Sequence, residues 1–415
     1  MNTITKSKKI NYTQLRGIIR EDKVRSDYLP FGRPNFGEDE ISAVVETMRT
    51  GWVGMGNQTL KFEEELSRYV KAPFVSTVNS CTSALFLALK VLGIKENDKV
   101  ICPSLTWCST ANAVLYNNAK LVFCDIDPNT LSVSSETILE KVTPNTKAVI
   151  VVHFGGFAVD VKDLRKQLPE RIEIIEDAAH ALGSFYLDNL PVGSSGNLTC
   201  FSFYANKNLS TGDGGAISLF DGNKNEMIKS LRQHSMNVNA WNRFVNPKSI
   251  LYSDITTLGY KMNYTDLQAS IGRVQLKRQA EFKEIRSLIG NYYYNELSGL
   301  HPDLKFQRNV INVNHSKHLF VVMLPTENLN ISRDEFVIKL REQNIGASIH
   351  YYPLHYMSLY GHKRLHLAQT EKIASSILTL PISASMTHED AEYVVDKFKK
   401  TLKKHLIHKL IKVVA

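Results

Sequence analysis

The stretch Phe201-Ser202-Phe203-Tyr204-Ala205-Asn206-Lys207-Asn208-Leu209-Ser210-Thr211-Gly212-Asp213-Gly214-Gly215 sets a lysine between an apolar run and a glycine-rich return into another. A lysine held in such a turn can lose its proton near neutrality and act as an amine nucleophile, although a solvated loop lysine has the same spelling. Upstream, Ile174-Ile175-Glu176-Asp177-Ala178-Ala179-His180 ends an apolar run on two adjacent carboxylates. Carboxylates there are costly without a cationic partner, which could be a heterocyclic N–H⁺, a metal or an arginine. No second His or acid stands at ligand spacing, so no metal site is expected. In Asn79-Ser80-Cys81-Thr82-Ser83-Ala84-Leu85 a helix start offers free N–H groups and hydroxyls, as a phosphate cradle or an ordinary N-cap would. Trp107 follows the run ending at Cys102 and is suited either to stacking on a flat ring or to the core.

Read jointly, these segments supply a phosphate clamp, a stacking aromatic, an acid for a ring nitrogen and a Schiff-base lysine. Those are the protein groups that pyridoxal phosphate requires.

The elements that must position these groups are legible as apolar runs: Phe74–Asn79, Lys99–Cys102, Leu121–Asp125, Ala148–His153, Ile172–Glu176, Thr199–Phe203 and Gly215–Phe220. Most are continuously hydrophobic, as strands buried on both faces of a mainly parallel sheet are. Helical patterns between them, such as Thr82–Leu92, complete an α/β domain whose ligand residues gather at the carboxyl ends of the strands. The spacing predicts one long helix over Thr265–Leu297, capped by Thr265 or Asp266. A smaller α/β lobe follows, with a strand at Phe320–Leu324 and a helix at Arg333–Gln343. His315 and His318, without an acidic or cysteine partner, read as a polar turn.

The chain has 415 residues, 43% hydrophobic and 22% charged, the composition of a globular protein rather than a disordered or fibrous one. Its net charge of +9 invites a nucleic-acid or membrane partner, but the charge lies at the ends. Residues 1–27 contribute +4 and residues 397–415 contribute +7, so the body carries −2 and calls for no nucleic acid. The tail's Phe398, Leu402, Leu406 and Leu410 stand four apart. That suits a basic amphipathic helix packed on the body or weakly drawn to an anionic membrane surface. No run is long enough to span a bilayer and the first residues lack a signal-peptide core, so a cytoplasmic location is expected. The five cysteines show no disulfide or zinc spacing, and most sit beside apolar runs as small buried hydrophobes.

From about Tyr28 to Asp396 the sequence resembles the DegT–DnrJ–StrS family of nucleotide-sugar aminotransferases, within fold-type I pyridoxal-phosphate enzymes. The resemblance rests on Gly51-Trp52-Val53-Gly54-Met55-Gly56, Ser80–Leu85, Pro103–Trp107, Cys124–Asp127, His153–Gly156, Glu176–Gly183 and Phe201–Gly215. It continues through Gly259–Asp266, Ile349-His350-Tyr351-Tyr352-Pro353-Leu354-His355 and Leu380-Pro381-Ile382. It implies a large domain with a seven-stranded, mainly parallel sheet (28–297) and a smaller C-terminal α/β domain (298–396), flanked by basic ends (1–27, 397–415). Lys207 would be the catalytic lysine, Asp177 the partner of the pyridinium nitrogen, and His180 the contact to the phenolic oxygen. Trp107 would stack on the ring, while Cys81, Thr82 and Ser202 would bind the phosphate. Either Lys261 or Asn263 of a neighbouring subunit would also approach that phosphate, so a homodimer with shared sites is implied. Trp52, Arg243, His350, Tyr351 and His355 are the candidates for contacting a nucleotide-sugar substrate and an amino-acid donor such as glutamate. Members with His at the lysine position are similar to sugar dehydratases, so Lys207 favours transamination. The segment His234–Arg243 is similar to members that aminate C4 rather than C3. Another pyridoxal-phosphate reaction, such as dehydration, and a non-catalytic regulatory homologue are the alternatives.

Overall fold

The computed structural model describes residues 24–236, 254–255, 257–361 and 365–407. Seven strands form the large sheet: β1 (Phe74–Val78), β2 (Lys99–Pro103), β3 (Lys120–Cys124), β4 (Thr146–Val152), β5 (Glu173–Asp177), β6 (Leu198–Ser202) and β7 (Gly215–Leu219). Their order is β1-β7-β6-β5-β4-β2-β3. Only β7 runs against its neighbours, pairing antiparallel with β1 (Phe74 opposite Leu219) and with β6. β1 therefore points the same way as the parallel block, and the carboxyl ends of β1, β2, β5 and β6 share one edge.

Helices cover the sheet: α1 (Glu38–Arg49), α2 (Asn57–Val70), α3 (Cys81–Val91), α4 (Cys108–Tyr116), α5 (Ser135–Leu139), α6 (Val161–Gln167), α7 (Gly222–Leu231), α8 (Asp266–Lys277) and α9 (Gln279–Leu297). α3 is buried nearly all round, from Cys81 through Val91, because it packs on the sheet beneath α4 and α7. Its sequence, CTSALFLALKV, carries a single charge and so tolerates that position.

The helix expected over Thr265–Leu297 is broken at Arg278 (φ −89°, ψ 2°). The side chains there are claimed elsewhere: Arg278 pairs with Glu40 at 2.9 Å, and Gln279 Nε2 donates to the Asn208 carbonyl at 3.0 Å. Thr265 caps α8 through the Gln268 amide. Asp266 does a different task, accepting from the amides of Gly56, Gln58 and Thr59 and from the Thr59 hydroxyl. It caps α2 from more than two hundred residues away and so fixes the Gly51–Gly56 loop.

The remaining elements are β8 (Lys305–Phe306), β9 (Phe320–Met323), α10 (Arg333–Arg341), α11 (Ala368–Ser376), β10 (Ile377–Leu380) and α12 (His388–His405). The three strands make an antiparallel sheet with β9 in the middle. Its core includes Ile289, Tyr293 and Leu297 of α9 and Phe398 and Leu402 of α12. Elements on both sides of the boundaries drawn at 297 and 396 thus pack together. Of the two readings of the tail, the described residues follow the one packed on the body: the apolar stripe of residues 397–406 is spent on this core, with Phe398 against Phe336 at 5.2 Å. Leu410 and residues 1–23 lie outside the described residues. Among the described residues no helix is long and apolar enough to cross a membrane.

Candidate active site

Lys207 sits in the turn after β6, partly buried, and desolvation pulls its ammonium from 10.5 down to about 8. Asp177 and Cys81 pull the other way, so all three side chains share one electrostatic neighbourhood. Asp177 ends β5 and is buried; Thr110 Oγ1 donates to its Oδ2 at 2.7 Å and the Ala179 amide to its Oδ1 at 3.2 Å. Burial nonetheless raises its carboxyl above the usual range. A protonated ring nitrogen is the kind of partner that would reverse that shift. Thr110 in turn accepts from Thr106 at 2.9 Å, so the β2–α4 turn holds the acid's orientation.

Glu176, one residue earlier, leaves the opposite face of the strand. It is met by His153 at 2.7 Å, Tyr186 at 2.5 Å and Asn197 at 2.8 Å, with Ser195 as a further donor. These donors keep it ionised, with its pKa below the usual value despite full burial. The two adjacent acids therefore serve different purposes: one braces the strand and one faces the site.

Trp107 caps α4 and is 59% exposed, so it is a platform rather than a core residue. Its ring lies 5.9 Å from that of Tyr351. His180 stands between Tyr351, whose hydroxyl is 3.1 Å from Nε2, and the Gly155 amide, which donates to Nδ1 at 3.3 Å. The second bond fixes the proton on Nε2, which then donates to the Tyr351 oxygen. Burial holds His180 neutral, well below its ordinary value.

At the β1 edge, Ser80 caps α3 by accepting from the Ser83 amide, leaving the amides of Cys81 and Thr82 as the donors for an anion. Thr82 Oγ1 is 2.8 Å from Ser109 Oγ, and Ser202, ending β6, is buried close by. A Cβ on Gly215 would lie 2.6 Å from the Cys81 nitrogen, so only glycine lets β7 approach this helix start. The acid, platform, amine and amide cradle are the complementary set for pyridoxal phosphate, and the donor set fits that cofactor.

Not every expected residue lines this space. His355 is almost fully buried, with Nδ1 at 2.6 Å from Ser104 Oγ and Nε2 at 3.3 Å from Glu371. It ties the Ile349–His355 segment to the end of β2, a positioning task instead of the substrate contact expected of it. His350 is held by Thr379 at 2.9 Å and kept neutral by burial, at about 3. Trp52 packs in the loop fixed by Asp266, with Nε1 donating to the Met55 carbonyl at 3.1 Å. Lys261 and Asn263 flank Met262, whose carbonyl accepts from the Asn79 amide at 3.0 Å, so their segment runs beside the α3 start of its own chain. Arg243 lies outside the described residues.

Sequence reasoning passed over two residues here. Thr110 carries no local signal for its bond to Asp177. His318, read as part of a polar turn, is buried with its ring 4.6 Å from that of His180 and Nδ1 3.2 Å from Asn208 Oδ1. Only the fold brings it beside Lys207.

The DegT/DnrJ/EryC1/StrS aminotransferase family matches residues 34–399, and the chain belongs to that family. It is 36% identical to the spore coat polysaccharide biosynthesis protein SpsC of Bacillus subtilis, over 91% of this chain and 98% of that one. Among solved structures it is similar to the aminotransferase TlmJ from Streptoalloteichus hindustanus (TM-score 0.83, 31% identity, 91% of this chain and 99% of that one). The PLP form of the putative sugar aminotransferase Spr1654 from Streptococcus pneumoniae superposes with TM-score 0.82 at 27% identity, covering 91% and 99%. The protein is accordingly a pyridoxal-phosphate-dependent sugar aminotransferase of fold type I.

Proposed function

From that membership, we propose that the protein moves an amino group from an amino acid, glutamate, to C4 of a nucleotide-linked 4-keto-deoxysugar, in the cytoplasm, for surface-glycan or related amino-sugar synthesis. The observation that carries the reading is Lys207, an amine brought to about 8 by burial beside Asp177. When bound, pyridoxal phosphate supplies the electron sink. Asp177 holds a proton at the ring nitrogen, Trp107 orients the ring, and Cys81, Thr82 and Ser202 hold the phosphate. Lys207 anchors the cofactor and moves the proton at the substrate carbon. Tyr351 faces the sugar, with Arg243 reaching an anionic group of the donor or nucleotide, and Trp52 shapes the Gly51–Gly56 loop at the pocket's rim. The relation to SpsC supports a polysaccharide setting.

We assign a homodimer as the working unit. Ile41, Val45 and Met48 form an exposed apolar stripe along α1, a face that a second copy would cover, with Lys261 or Asn263 reaching the partner's phosphate site. Mass spectrometry of products after incubation with glutamate and a panel of 3-keto and 4-keto nucleotide sugars tests the reading. A gain of one amine at C4, absent in Lys207→Ala, is expected. Amination at C3 alone, or loss of water without amination, refutes it.

A further inference from the structure

Arg286 of α9 is 4% exposed, yet among the described residues no carboxylate, carbonyl or hydroxyl accepts from it, and its Nε is buried without a partner. A buried guanidinium without a counter-charge is expensive, and proteins pair such groups. Arg286 lines a narrow cavity of about 10 Å³ together with Arg33, Asn206, Lys207, His318 and Ser383, and no lining residue is Asp or Glu. The acids of this region are already committed: Asp177, beside the lining residue Lys207, accepts from Thr110 and the Ala179 amide, and Glu40, bonded to the lining residue Gln275, is held by Arg278 and the Gly37 amide. The group that faces Arg286 electrostatically is the Tyr69 phenol, which burial keeps protonated.

The surroundings deepen the imbalance. Lys283 and Lys317 lie close enough to be lowered to about 8, chiefly by burial and secondarily by neighbouring cations, Arg286 in the case of Lys283. Arg286 itself is lowered to about 10 by burial. Asn206 adds a side-chain amide whose Oδ1 is buried without a partner. Rotation of that amide exchanges oxygen for nitrogen and presents an N–H to the cavity.

We propose that this cavity behind Lys207 is a site for one small inorganic monovalent anion of halide size, held by the Arg286 guanidinium with the Asn206 amide as a neutral donor. Charge selects an anion over water. Size selects a monatomic ion over an amino-acid carboxylate, since a cavity of this volume admits about one water-sized particle. The inference rests on the packing around α9 and stands whatever sugar the enzyme uses.

The test uses the full-length holoenzyme. Crystals soaked in bromide should give an anomalous peak in contact with Arg286. In solution, replacing gluconate by chloride at fixed ionic strength should raise Tm by roughly 2 °C in the wild type and leave Arg286→Met unmoved. Should Arg286→Met fail to fold, Arg286→Lys keeps the charge and should keep the bromide peak. Bromide peaks elsewhere but none in the cavity would overturn the proposal, as would a wild-type Tm indifferent to halide. Displacement of the cavity bromide by soaked glutamate would also overturn it, reassigning the site to the donor's carboxylate.

Discussion

Replacing Lys207 should make the apoprotein more stable, and the pH dependence of that gain identifies the cause. Folding takes the lysine from an ordinary value of 10.5 to about 8, because its ammonium is desolvated more than Asp177 and Cys81 compensate. A cation whose folded pKa lies below its unfolded one binds its proton more weakly in the native state. Its destabilising contribution is complete below pH 8 and fades as pH rises toward 10.5. The shift corresponds to about 3 kcal/mol at pH 7 and to about half of that by pH 9.5. Lys207→Met removes the titrating group while filling a similar volume. Denaturant unfolding of the two apoproteins should show Lys207→Met ahead by up to about 3 kcal/mol at pH 7, the lead shrinking by about 2 kcal/mol at pH 9.5. Packing differences are independent of pH and cancel from the slope. A lead that stays constant between those pH values would show that Lys207 is solvated, and would remove the argument that this turn prepares a neutral amine.

Three further outcomes follow from particular contacts. Thr110→Val deletes the 2.7 Å hydrogen bond to Asp177 and should weaken pyridoxal-phosphate binding by about tenfold, read from quenching of tryptophan fluorescence on titration, and should cost the apoprotein about 1–3 kcal/mol in denaturant unfolding because Thr106 also loses its partner. Asp266→Ala removes one carboxylate that serves four donors around α2. It should cost about 2–4 kcal/mol in denaturant unfolding, whereas an effect within ~0.5 kcal/mol would mean that solvent replaces it. Phe398→Ala, in the basic C-terminal helix, should cost about 3–5 kcal/mol in thermal or chemical unfolding and leave liposome co-sedimentation unchanged, because the ring is buried against Phe336.

The strands of the large sheet were legible because their both-face burial writes itself as continuous apolar runs, and each lies within two residues of its run. The lysine, the acid and the tryptophan stand out only jointly: each alone has an ordinary reading as a solvated loop lysine, a structurally paired acid or a core aromatic, and it is their common place after apolar runs, at the edge where ligands bind, that singles them out. What resisted reading depends on distant pairing. Asp266 looks like a local cap and serves another helix. The helix over Thr265–Leu297 breaks because Glu40 and the Asn208 carbonyl claim Arg278 and Gln279. His318 and Arg286 sit on unrelated segments, and their shared burial near Lys207 has no signature in spacing. Phe398 and Leu402 show the converse case: their periodicity was clear, but periodicity states that a face is apolar without stating what covers it.

The position of β1 bears on how the chain is made. Its ladder partner is β7, with Phe74 opposite Leu219, so about 145 further residues must be synthesised before its backbone can pair. At translation rates of about 5–20 residues per second that interval is roughly 7–30 s. Throughout it, Phe74-Val75-Ser76-Thr77-Val78 presents an open edge of uncharged, β-prone sequence. The strand whose end positions the phosphate cradle is thus the last of the parallel set to find a partner. Slower elongation between codons 79 and 219 should raise the insoluble fraction of nascent protein more than slowing after codon 220.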